Sequence, residues 1–182
     1  MTDSSSLSGK RCALVTGGGR EIGFEICRKL AENEIRVILT ARNEKNGIEA
    51  VKKLKLAGLS DVNFHQLDVK DSASIEAVAN YVKSNFGKLD ILVNNAAAPG
   101  LVIVKPQELR SFKDGAGFVI DENAQLLEEL FVEDYELAED CLRTNYYGTK
   151  AVTTEMLPLL QLSNSARIVN LSSFYGELNV SG

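Results

Sequence analysis

The chain is expected to adopt a doubly wound α/β fold, a sheet of parallel strands with helices packed on its faces. Three observations carry this expectation. Short β-branched, apolar runs alternate with amphipathic stretches of helical length. The first run stops at a cluster of glycines that opens a helix. The 182 residues, 45% hydrophobic and 25% charged, suit one soluble globular domain spanning 1–182 around a single core.

The elements follow in order. Residues 1–9 form a polar, flexible tail. "RCALVT" (11–16) is the pattern of a buried parallel strand. "EIGFEICRKLAENE" (21–34) sets Ile22, Ile26 and Leu30 on one helical face. "IRVILTA" (35–41) is a second strand, and "NEKNGIEAVKKLKLAG" (43–58) a helix closed by Gly58. "VNFHQLDV" (62–69) is a third strand. "SASIEAVANYVKSNFG" (72–87) is a helix with Ile75, Val78 and Val82 inward and Gly87 at its end. "LDILVNN" (89–95) is a fourth strand. Residues 96–131 are too long for an ordinary connection and read as an insertion with a short helix near 122–131. A long helix from about 134 to 160 and a fifth strand, "ARIVNLSS" (166–173), complete the pattern.

Composition narrows the function. A net charge of −5 gives no general pull toward nucleic acid or an anionic membrane. That charge is uneven, because residues 121–140 hold nine acids and no base and leave the rest of the chain net positive. No apolar run approaches the length of a membrane span, and the first ten residues lack the apolar core of a signal peptide. Cys12, Cys27 and Cys141 have no metal-site spacing and read as small buried hydrophobes in a reducing, cytosolic compartment.

Strand one runs into "TGGGREIG" (16–23), which opens the first helix. Glycines let the chain turn tightly and bring backbone N–H groups to a pyrophosphate at a helix N-terminus. Together with "LDV" (67–69), "NNA" (94–96), "NYYG" (145–148) and "IVNLSS" (168–173), the loop resembles the motifs of the short-chain dehydrogenase/reductase family, in the family's order. The segment after "NNA" resembles one branch, the monomeric plant carbonyl reductases. The resemblance implies a Rossmann-type dinucleotide-binding domain, a small ketone or aldehyde of terpenoid or alkaloid type as substrate, and a monomer. It implies cofactor contacts from Gly17, Gly18, Gly19, Arg20, Ile22, Gly23, Arg42, Asp68, Val69 and Asn94, with Asp68 on the adenine amine and Asn94 supporting the strand beside the nicotinamide ribose.

The second strand ends in Ala41 and Arg42 rather than in an acid, and Arg20 adds a second cation. Cations there suit the 2′-phosphate of NADPH (NADP), whereas an acid would suit the ribose of NAD. Two positions depart from the family's layout. Ala97 replaces a usual glycine, the smallest possible change. Glu21 also stands where the layout wants glycine. Its carboxylate could repel the ligand, at about 3 kcal/mol for unit charges ~5 Å apart at an effective dielectric of ~20. It could occupy the anion site itself. It could instead turn to solvent, gaining roughly 0.3–1 kcal/mol from the helix dipole.

On the long helix, Ala138, Leu142, Asn145, Thr149, Val152 and Met156 form one stripe expected to face inward. A polar Asn145 on such a face must be hydrogen-bonded, and the resemblance makes it the catalytic asparagine of a proton relay. Ser173 ends strand five, where the resemblance implies a hydroxyl that polarises the substrate carbonyl, with Gly176 three residues on. Tyr146 and Lys150 make a Tyr-x-x-x-Lys pair, a motif for which chance alone predicts ~0.3 matches in this composition. The family's own pair lies beyond the serine, and here Tyr175 is followed four later by Asn179 and no lysine comes after Lys150. The pair at 146 and 150 therefore reads as a helix feature. The sheet is expected to be incomplete at its C-terminal edge, with the catalytic Tyr-Lys part absent and the truncated chain weak or inactive. Two alternatives remain: a non-catalytic dinucleotide binder, and an interaction protein using the acidic 121–140 segment. The exposed edge strand would permit self-association.

Overall fold

The computed structural model describes residues 9–103 and 131–173. The short helix expected near 122–131, most of the insertion, and Tyr175, Gly176 and Asn179 lie outside the described residues. The chain divides into two compact units, Met1–Ala96 with Tyr147–Gly182, and Ala97–Tyr146.

In the first unit, β1 (Cys12–Val15), α1 (Glu21–Glu32), β2 (Arg36–Ala41), α2 (Glu44–Leu56), β3 (Val62–Gln66), α3 (Ser72–Phe86) and β4 (Ile91–Asn94) follow the predicted alternation. The sheet order is β3-β2-β1-β4-β7, with β7 at Arg167–Asn170 and every pairing parallel. Capping sets the helix starts. Asn43 accepts from the N–H of Asn46 at 3.0 Å, and Asp71 from the N–H of Ala73 at 3.0 Å. Gly87 ends α3 in the left-handed conformation, as its position predicted.

β1, β2 and β4 are buried on both faces, which is why they read as continuous apolar runs. Cys12, Leu14, Ile38 and Leu92 point to the face covered by α3 and by α5 (Thr149–Leu160), where Ile75, Val78, Val82, Val152 and Met156 complete the core. Ala13, Val15, Val37, Leu39, Ile91 and Val93 point to the other face, which holds Cys27, Ala50, Val51 and Leu54. Gly47 lets α2 sit against β3, since a Cβ there would fall 1.9 Å from the Phe64 ring.

The described part of β7 is the sheet's outer strand, with Ile168 and Val169 exposed at 44% and 46%.

Two sequence readings need correction. The buried positions of α1 are Gly23 and Cys27, whereas Ile22 is 65% exposed and Ile26 and Leu30 only partly covered. The small pair lets the helix approach the sheet, turning the isoleucine stripe to the flank. Nor is 134–160 one α-helix. Residues Tyr135–Leu142 form α4, Arg143–Gly148 a π-helical turn, and α5 follows. A π turn takes an extra residue and breaks the 3.6-residue spacing. Ala138, Leu142 and Asn145 are exposed, while Val152, Met156, Leu159 and Leu160 are buried.

In the second unit the Asp134 side chain caps α4 through the N–H of Leu137 at 2.7 Å. Val102–Ile103 and Phe131–Val132 pair as a two-stranded antiparallel ladder, β5 and β6. Neither strand was expected, because two-residue runs show no periodicity.

Candidate functional site

All five strands of the main sheet are parallel, so their carboxyl ends share one edge. The chain order reverses there between β1 and β4, the switch point at which open α/β sheets bind ligands. The loop 16–20 leaves β1 at this point. Gly17 has φ +66°, and a Cβ on it would meet the Ala96 Cα at 3.0 Å. Gly23, in the first turn of α1, lies so close to the loop that a Cβ would fall 2.3 Å from the Gly17 carbonyl oxygen and 2.5 Å from Asn95 Nδ2. The N–H of Gly18 donates to the Thr40 carbonyl at 2.7 Å, tying the loop to β2.

Thr16 and Asn95 hold this geometry, and the sequence reading passed over both. Thr16 Oγ1 accepts from the N–H groups of Asn95 and Ala96, each at 2.9 Å. Asn95 Nδ2 donates to the carbonyls of Thr16 at 2.9 Å and Gly17 at 3.1 Å. The two residues clamp the end of β1 to the end of β4 around the left-handed glycine. The available signal was a threonine before the glycines and a doubled asparagine after strand four.

Arg20 is the N-cap of α1, extended and exposed, and provides no side-chain cap. The first-turn N–H groups therefore lack a side-chain acceptor, which suits an anion. Glu21 is exposed, with φ +51°. Arg42 is exposed just past β2, its carbonyl accepting from Gln66 Nε2 at 3.0 Å. Asp68 is half-buried. Its Oδ1 accepts from the N–H of Lys70 at 3.0 Å, and its own N–H donates to Ser74 Oγ at 3.0 Å. The Val69 side chain belongs to the core, so any ligand contact falls to its backbone.

Asn94 is 4% exposed. Its Nδ2 donates to Thr153 Oγ1 at 3.0 Å and Asn170 Oδ1 at 2.8 Å, stitching β4 to α5 and β7. Its Oδ1 is buried and has no partner among the described residues. Ser173 is exposed three residues beyond β7, on the same edge of the sheet as the loop.

Asn145 is described within the second unit. It is exposed rather than inward, yet its amide is engaged. Oδ1 accepts from the N–H of Ala98 at 2.8 Å, while Nδ2 donates to the Ala98 carbonyl at 3.1 Å and to Cys141 Sγ at 3.3 Å. Tyr146, in the π turn, and Lys150, in α5, are both exposed.

Burial pushes the thiols of Cys12 and Cys27 up to about 12, which makes them inert packing groups. Among the described residues no group of three or more His, Cys, Asp or Glu could hold a metal, and no helix is long and apolar enough to cross a membrane.

The cradle, the uncapped helix start and the switch point fit a dinucleotide, and the comparisons with known proteins agree. (+)-Neomenthol dehydrogenase of Arabidopsis thaliana is 51% identical over 171 residues, covering 92% of this chain and 55% of that protein. The solved structure of salutaridine reductase from Papaver somniferum is 48% identical with a TM-score of 0.80, covering 92% of this chain and 59% of that one. Carbonyl reductase [NADPH] 1 of Bos taurus is 36% identical, covering 92% of this chain and 51% of that protein. The chain thus spans between half and three fifths of the length of these relatives. The family model described as short chain dehydrogenase matches residues 11–182. A glycine cradle at the switch point of a parallel sheet, with those matches across nearly the whole sequence, means that this chain belongs to the short-chain dehydrogenase/reductase family.

Proposed function

We propose that the chain carries the cofactor-binding part of an NADPH-dependent oxidoreductase that reduces the carbonyl of a small ketone or aldehyde, of terpenoid or alkaloid type. The observation that carries the reading is the clamped glycine loop at the β1/β4 switch point. Preference for NADPH rests on Arg42 and Arg20, exposed cations with no acid at the end of β2. The name of the bovine relative includes the same dinucleotide. Three free cysteines suit a reducing, cytosolic compartment.

When bound, NADPH supplies the hydride. The loop amides and the first turn of α1 would hold its pyrophosphate, Asp68 would offer a carboxylate oxygen to the adenine amine, and Asn94, bonded to Thr153 and Asn170, would support β4 at the nicotinamide ribose. Ser173 donates from Oγ to the substrate carbonyl oxygen and polarises it. Asn145, taken as the family's relay asparagine, has its side chain committed to holding Ala98. Reduction also needs a proton donor working near neutral pH. Within these 182 residues no Tyr-x-x-x-Lys follows Ser173. Residues 1–182 by themselves therefore bind the dinucleotide without rapid turnover.

Titration by NADPH fluorescence enhancement tests this. The chain binds NADPH more tightly than NADH, and Arg42→Ala weakens NADPH about tenfold, the effect of losing roughly 1.4 kcal/mol, with NADH within about twofold. Failure of both the chain and its Glu21→Gly variant to bind either dinucleotide overturns the reading, as do equal losses of NADPH and NADH on Arg42→Ala. Turnover of a ketone panel by residues 1–182 at the rate of the relatives overturns its last part.

A further inference from the structure

Two residues other than glycine among those described have positive φ, Glu21 at 51° and Glu34 at 59°. Glu34 follows the end of α1, where left-handed residues commonly close helices. Glu21 has no such reason. It is the first residue of α1, directly after the glycine loop, in a backbone region that L side chains disfavour. The loop thus keeps a glycine-like path through a residue that is not glycine, held there by the Gly23–Gly17 approach and the Thr16–Asn95 clamp.

The position has an electrostatic consequence. Glu21 is exposed and makes no hydrogen bond or ion pair with any described residue, so its carboxylate does not fill the anion cradle of its own loop. It nevertheless sits in the turn whose N–H groups would face a pyrophosphate. A fixed negative charge there already takes up part of the helix dipole and repels a second anion.

We propose that Glu21 is an affinity-setting residue that holds down binding of pyrophosphate-bearing ligands through its charge, placed at the mouth of the loop by a left-handed backbone. The inference rests on the dinucleotide reading above and concerns the strength of that site. The repulsion acts at the pyrophosphate, so it falls on NADH and NADPH alike, unlike the effect of Arg42.

The test compares the 182-residue chain with Glu21→Gln and Glu21→Gly, using NADPH titrations at low and high salt and urea denaturation without ligand. Glu21→Gln removes the charge and leaves the side chain and its backbone strain. It is expected to tighten NADPH and NADH about five- to tenfold at low salt. The gap narrows to about twofold or less at ~0.5 M salt, where the screening length is only a few ångströms. Urea resistance of the Gln variant stays at or slightly below the wild-type value, because the favourable interaction of the charge with the helix dipole goes with it. Glu21→Gly shows the same charge effect and in addition resists urea better. If Glu21→Gln binds as the wild type does at low salt, the proposal falls, even where Glu21→Gly tightens, because relief of strain alone would then explain the gain. If the wild type fails to bind while both variants bind, the proposal stands in its strongest form. If none of the three binds, the dinucleotide reading fails and the inference fails with it.

Discussion

Thr16→Val is the most direct probe of how the loop is held. Valine matches threonine in shape and β-branching, so the strand end at 2% exposure keeps its packing. What disappears is the oxygen that accepts from the N–H groups of Asn95 and Ala96, both at 2.9 Å. A donor left without its partner costs about 1–3 kcal/mol. Both donors are half-buried rather than sealed, so the lower part of that range applies to each, and the sum is about 2–3 kcal/mol. With an m-value of roughly 2 kcal/mol/M, the urea midpoint falls by about 1–1.5 M. Thr16→Ser keeps the oxygen and should lose less than half as much. The same clamp positions Gly17, so Thr16→Val also weakens NADPH beyond what Thr16→Ser does. A midpoint within about 0.3 M of the wild type would refute the claim that this hydroxyl organises the loop.

Two further outcomes follow from buried groups. Asp90, 2% exposed, accepts from the Cys12 N–H at 2.8 Å, from Lys88 Nζ at 2.7 Å and from Ser163 Oγ. Burial alone would raise its carboxyl, but the Lys88, Ser163 and Cys12 hydrogen bonds outweigh it and hold the group below the ordinary carboxylate value. A depressed folded value means stability present above about pH 4 and lost as the pH falls through the folded value. Asp90→Asn should therefore cost about 2–3 kcal/mol at neutral pH and flatten the acid limb of stability against pH. An unchanged acid limb would count against this network. A thiol reagent at pH 8 is expected to label half-buried Cys141 in the native chain and to reach Cys12 and Cys27 only after denaturation. Labelling of all three without denaturant would contradict their burial.

What is local and periodic was legible in the residues alone. Each strand of the main sheet and its following helix could be read from runs such as "CALV" and from caps such as Asn43, Asp71 and Gly87, because side-chain spacing and turn chemistry act within a few residues. The glycine loop belongs with them. What depends on residues far apart in the chain appears only in the folded molecule. Thr16 meets Asn95 across 79 positions, and Asn94 meets Asn170 across 76, contacts that no periodicity announces. Which flank of α1 is buried depended on how closely Gly23 and Cys27 let it approach the sheet. Asn145 lies in a π turn and is exposed, which its place in a 3.6-residue pattern did not announce. Glu21 could be seen as a misplaced charge in the sequence, but its left-handed backbone appears only once the loop is pinned from both sides. Local chemistry chooses the elements, whereas close packing between distant segments chooses the geometry of the site.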